Sequence, residues 1–249
     1  MFRGRYGLGM TSARWSALAG SAALGLVLLA GCTPTPAEPS ASPTPSSEAA
    51  PTPTASPEPT APPARADLVL RPDGLGTLVI GEPAPAAGDP TAMIVFDDDA
   101  CVSDIGGIAP GDPNAGAWVP IPLYDAGPEG GGIFAVGVSD ADIVEGVQVW
   151  GLDEIPTEEG IRVGSTVAEL LAAYPGIAGP SGGAGLSQFY LVDGPGGRLI
   201  IEVAVEDPGL PGYWEPGIID TVLGMTAVPS GTPGYTIAAS DGGLGGCPL

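Results

Sequence analysis

Residues 65–249 carry 35 of the chain's 41 glycines, the other six lying before position 65. That density limits the fold more than any other feature. A glycine costs roughly 1 kcal/mol relative to alanine inside a helix, and here glycines interrupt most apolar runs before they reach helical length. Short strands joined by Gly and Pro turns tolerate such spacing. DLVL (67–70) and TLVI (77–80) flank RPDGLG and predict a hairpin. Strands are further expected at 93–97, 117–124, 132–138 and 144–150, with a second hairpin over 187–205 around DGPGG and a last pair at 218–228 and 234–238. One helix is well specified. In STVAELLAAYPG, Thr166 and Glu169 have capping-box spacing, and Val167, Leu170, Leu171 and Tyr174 make an apolar stripe. Pro175 and Gly176 then end it. The expected class is α+β, mainly antiparallel sheet with one short amphipathic helix at 166–174 and Gly/Pro-rich loops, in a single domain over 65–249.

Upstream of that domain the composition changes. Residues 33–64 hold eleven Pro, eleven Ser or Thr, three Glu and otherwise Ala. With no aromatic or branched aliphatic side chain to bury, such a tract is expected to stay disordered and extended, a spacer reaching at most ~100 Å. Ahead of it, Arg3, Arg5 and Arg14 precede an apolar stretch from Trp15 to Ala30, the layout of an export signal. Gly20, Ser21 and Gly25 interrupt that stretch, leaving it short of the roughly 20 strongly apolar residues a spanning helix needs.

Leu29-Ala30-Gly31-Cys32 resembles the lipobox of bacterial lipoprotein precursors, residue for residue. The resemblance implies cleavage after residue 31, diacylglycerol on the Cys32 thiol and attachment to the extracytoplasmic face of the cell membrane. GIRVGSTVAELLAAYPG (160–176) is similar to a strand, Gly-x-Thr, helix element of secreted actinobacterial lipoproteins, and more distantly to β-lactamase-inhibitory-protein and BamE-like modules. Those folds imply binding or scaffolding. TLVIGEPAPAA (77–87) is a faint echo of the same element, its helix spoiled by Pro83 and Pro85.

With Cys32 lipidated, the remaining cysteines are Cys101 and Cys247. An oxidising compartment would let them pair and tie the tail to the early part of the domain; the alternative is two buried thiols.

Charge and absent residues narrow the function. Cleavage at Cys32 leaves four Arg, no Lys and 29 acidic residues, a net −25. A nucleic-acid partner is excluded on that ground, because phosphate contacts need basic side chains. The chain has no histidine, which removes the commonest general base and the usual zinc sites. It has no lysine, so a P-loop, a Schiff base and a Ser/Lys dyad are excluded. GPSGG (179–183) fits G-x-S-x-G but follows a helix and lacks a base, so Ser181 reads as unactivated loop.

What survives is carboxylate chemistry and surface binding. Asp97, Asp98, Asp99 and Asp104 are weak Ca²⁺ candidates, and Asp140, Asp142 and Glu145 form a second acidic cluster. Neither fits an EF-hand loop, and no cofactor is expected. Tyr213 and Trp214, in PGLPGYWEPG, are candidate anchors for a sugar or a protein partner. The expected function is a noncatalytic binding or scaffold module held at the membrane by its lipid, with a protein or envelope-glycan partner. The alternative is a carboxylate-based hydrolase of envelope glycan.

Overall fold

The computed structural model describes residues 60–103, 107–126, 131–151, 155–177 and 179–237, with Leu244 and Cys247. The stretch read as an export signal, Cys32, Asp104 and the expected spacer up to residue 59 lie outside the described residues. The chain divides into two compact units, 1–54 and 55–249. All described residues belong to the second, which is a sheet-dominated α+β fold with one short α-helix.

Its centre is a six-stranded antiparallel sheet built from β6 (Ala135–Val138), β7 (Val144–Trp150), β8 (Gly182–Ala184), β9 (Ser187–Gly194), β10 (Gly197–Ala204) and β11 (Val222–Val228). The spatial order is β6-β7-β11-β10-β9-β8. The expected hairpin at 187–205 forms as β9 and β10, paired from Gly194↔Gly197 to Ser187↔Ala204. Pro195 and Gly196 fill the turn, and Gly196 takes φ 80°, a left-handed conformation open to glycine.

The first hairpin forms differently from expectation. RPDGLG is itself part of a three-stranded meander: β1 (Leu70–Arg71) pairs with β2 (Gly74–Leu75), and β2 pairs with β3 (Leu78–Val79). The segment read as a loop therefore contributes the middle strand. This register lets Leu70, Leu75 and Leu78 all reach the core, which one wide loop would not allow. Residues 93–97 give β4 (Ile94–Asp97), and 117–124 give β5 (Ala117–Pro120), shorter than expected because a 3₁₀ turn at Pro122–Tyr124 follows it. Residues 234–237 form no strand. Pro229, Gly231, Pro233 and Gly234 break up any regular ladder before them, and their stretch instead crosses one sheet face.

The helix α1 (Val167–Ala173) has both halves of its capping box: the Glu169 N–H donates to Thr166 Oγ1 at 3.2 Å and the Thr166 N–H to Glu169 Oε2 at 2.8 Å. Leu170 and Tyr174 are buried and Val167 half-buried, but Leu171 is 40% exposed. The stripe is thus narrower than the spacing implies, because a seven-residue helix docks along one edge. The segment before it makes isolated bridges, Thr157↔Leu70 and Thr166↔Thr221, rather than a strand.

These elements cover the front face of the large sheet. Val147, Val149, Met225, Leu199, Ile201 and Val203 pack there against Leu70, Leu75, Met93, Tyr124 and Leu170 in one apolar core. The buried Tyr124 phenol donates to the Pro63 carbonyl at 2.7 Å. The proline tract's end at Pro62 and Pro63 is therefore part of the folded unit.

Candidate binding surface

The β4–β5 ribbon projects an accessible aromatic pair. Register pairs Phe96 with Trp118 across the two strands. Their ring centroids lie 5.7 Å apart at 69°, an edge-to-face contact. Trp118 is half-buried and leans on the main core, whereas Phe96 is 48% exposed. Close approach explains the neighbouring glycine: a Cβ on Gly116 would come within 2.5 Å of Phe96 Cζ.

The two rings border two clefts. One, about 310 Å³, is apolar and lined by Pro62, Pro85, Pro90 and Ile121 beside the rings. Asp89 at its rim accepts hydrogen bonds from the Thr91 N–H and hydroxyl, both at 2.8 Å, and these hold its carboxyl below the usual carboxylate range. The other cleft, about 360 Å³, is polar and lined by Ser139, Asp140 and Asp142 next to the same rings. Asp142 closes the β6–β7 hairpin at φ 57°, a left-handed conformation Asp tolerates better than most residues. Stacking surface and hydrogen-bond acceptors thus stand side by side, an arrangement that suits a ligand with an apolar face and donor groups at its rim.

The residues singled out from sequence are spread over the molecule. Asp97 sits at the end of β4, where its Oδ1 accepts from the Asp99 N–H at 2.9 Å. Its side chain lines a third cleft on the ribbon's other face, while Asp98 and Asp99 are exposed. Among the described residues no three Asp, Glu, Cys or His side chains are grouped to hold a metal ion. Asp140, Asp142 and Glu145 are all exposed.

Trp214 turns back onto the domain: its indole N–H donates to the Leu186 carbonyl at 2.9 Å. Tyr213 packs edge-on against it with centroids 5.0 Å apart and stays 56% exposed. Of that pair, Tyr213 alone faces solvent, and neither residue lines the clefts beside Phe96 and Trp118.

Cys101 and Cys247 are joined, with Cα atoms 5.3 Å apart. Cys101 is buried in the connection between β4 and β5; Cys247 is exposed.

Sequence reasoning passed over Phe96 and Trp118 because each sits in a strand that reads as core. The available signal was the flanking sequence, Asp-Asp-Asp after Phe96 and Gly before Ala117-Trp118, which marks a short ribbon rather than a buried strand. Compared with protein-family models, curated proteins and solved structures, the chain matches none.

Proposed function

We propose that the protein is a lipid-anchored extracytoplasmic lipoprotein whose domain is a noncatalytic binding module for cell-envelope glycan. The lipobox pattern ending at Cys32 supports the anchor, and the exposed Phe96–Trp118 pair between an apolar and an acidic cleft supports the binding role. A sugar ring would stack its C–H face on the aromatic pair and direct hydroxyl or amino donors to Ser139, Asp140 and Asp142. The strongly acidic chain disfavours anionic ligands and accepts neutral or amino-bearing ones.

Titration calorimetry with soluble envelope-glycan fragments tests this reading. Saturable binding is expected, weakened several-fold to roughly 10-fold by Phe96→Ala or Trp118→Ala, the range of one aromatic contact, and unaffected by Tyr213→Ala. No saturable heat, or equal affinity in all variants, would overturn it.

One observation favours a second reading: Asp140 and Asp142 share a cleft with both rings, as a carboxylate hydrolase of envelope glycan would require. Against it, general acid work calls for one carboxyl sheltered from water, and both are exposed. Release of reducing ends from the same fragments, abolished by Asp142→Asn, would replace binding with hydrolysis.

A further inference from the structure

The rear face of the six-stranded sheet is built unlike the front. Cross-strand register places Gln148, Thr226 and Ile200 in one row, with Glu202 two residues further along β10 and opposite Phe189 on β9. Gln148, Thr226, Glu202 and Ser187 are each at most 4% exposed, although three of them lie in the middle of the sheet, where apolar side chains would be expected. The Ser187 hydroxyl donates to Glu202 Oε1.

What shelters them is the chain's own C-terminal stretch. Arg198, held in a two-point contact by Asp193, also donates from Nη1 to the Thr232 carbonyl at 2.7 Å. Gly234 passes so close over the Phe189 ring that a Cβ there would collide with it. Tyr235 joins Phe189, Ile200 and Val228 in a small apolar cluster separate from the main core. The Ile237 N–H donates to Glu202 Oε2 at 2.7 Å, and the Leu244 N–H to Gln148 Oε1 at 3.0 Å. Leu244 seats its side chain on a hollow left by glycine: a Cβ on Gly146 would come within 2.5 Å of Leu244 Cδ1. Three residues further on, Cys247 is bonded to Cys101. The described points of this strap run from β9 and β10 across to β7, and its far end is tied covalently to the β4–β5 connection.

Two features separate the strap from the structural core. Among the described residues, none of those buried in the front core comes from the stretch after Val228, so lifting the strap leaves that core intact. Uncovering Gln148, Thr226, Glu202 and Ser187 exchanges protein hydrogen bonds for water at small net cost, and the apolar surface uncovered with them is confined to the small cluster of Phe189, Ile200 and Val228.

We propose that the Cys101–Cys247 disulfide is a redox latch: an external dithiol opens it, and the strap then leaves the rear face, exposing Glu202, Gln148, Thr226 and the Phe189–Ile200 patch. A thiolate of the dithiol attacks the exposed Cys247 Sγ, and Cys101 leaves as a thiolate that takes up a proton. The second thiol of the reagent then attacks the mixed disulfide and releases Cys247. The protein disulfide gains two electrons and two protons, and the dithiol becomes a disulfide. While the latch is closed the strap is held at high effective concentration over its seat; once it is open, only noncovalent contacts retain it.

Amide hydrogen exchange by NMR on the full extracytoplasmic chain, before and after dithiothreitol, tests the latch. Exchange at Ile237 and Leu244 is expected to accelerate at least roughly tenfold on reduction, with the amides of Leu199–Ala204 unchanged. Cys247→Ser without reductant is expected to behave as the reduced protein. Unchanged protection of Ile237 and Leu244 in the reduced protein would overturn the proposal. So would parallel loss of protection in β10, which would make the bond a staple of the whole domain.

Discussion

Single side chains show where this protein bears local cost. Among the described residues the Tyr174 hydroxyl is buried with no partner at hydrogen-bond geometry, and burial, with Glu159 nearby, raises its pKa above the usual phenol value. A buried polar group left unpaired is destabilising by about 1–3 kcal/mol. Tyr174→Phe removes that group and keeps the ring, so it is expected to stabilise the domain by about 1 kcal/mol, seen as a melting temperature higher by roughly 2–4 °C. An unchanged or lowered melting temperature would show that the hydroxyl is satisfied in solution. Phe96 illustrates the opposite case: its ring is large, apolar and half-exposed, a cost more readily understood on a surface that meets a ligand.

At the scale of elements, the short helix depends on its first turn. Seven residues are too few for a helix to persist alone in water, so the reciprocal bonds of Thr166 and Glu169 matter. Thr166→Ala is expected to cost about 1 kcal/mol at neutral pH, measured by urea unfolding. The Thr166 N–H, and then its hydroxyl, hold the Glu169 carboxyl below its ordinary value. A depressed carboxyl contributes stability that is present above its unfolded pKa, near about 4.3, and lost as pH falls through the lower folded value. The gap between wild type and Thr166→Ala is therefore expected to narrow below about pH 4, as Glu169 protonates in both proteins. A gap that stayed constant down to about pH 2 would show that the Thr166 hydroxyl does not help to hold the Glu169 carboxylate, because the backbone N–H at 166 is kept in both proteins. The hairpin of β9 and β10 carries a similar clamp: the two-point contact from Arg198 lowers the Asp193 pKa.

For the whole molecule, the proposed anchor can be tested apart from the folded unit. Cys32→Ala removes the thiol that would take lipid, so the variant is expected in the soluble fraction where wild type partitions with membranes. Equal membrane association of the two proteins would exclude the lipid as the tether. Whatever depends on neighbours along the chain was legible in the residues: a glycine-rich composition that forbids long helices, the capped helix at Thr166, the hairpin around Pro195-Gly196, and most strand positions. The sequence also narrowed the cysteines to one candidate pair. What depends on distant segments meeting was fixed by the assembled fold. RPDGLG became a strand because three leucines needed one core, and 234–237 became part of a strap because the Ile237 N–H finds its partner on Glu202, with Thr232 before it held by Arg198 and Leu244 after it by Gln148. Phe96 and Trp118 became a surface because their ribbon stands between two clefts rather than inside the large sheet. Local pattern sets the period of burial along a strand; which face the rest of the chain then covers is a property of the assembled fold.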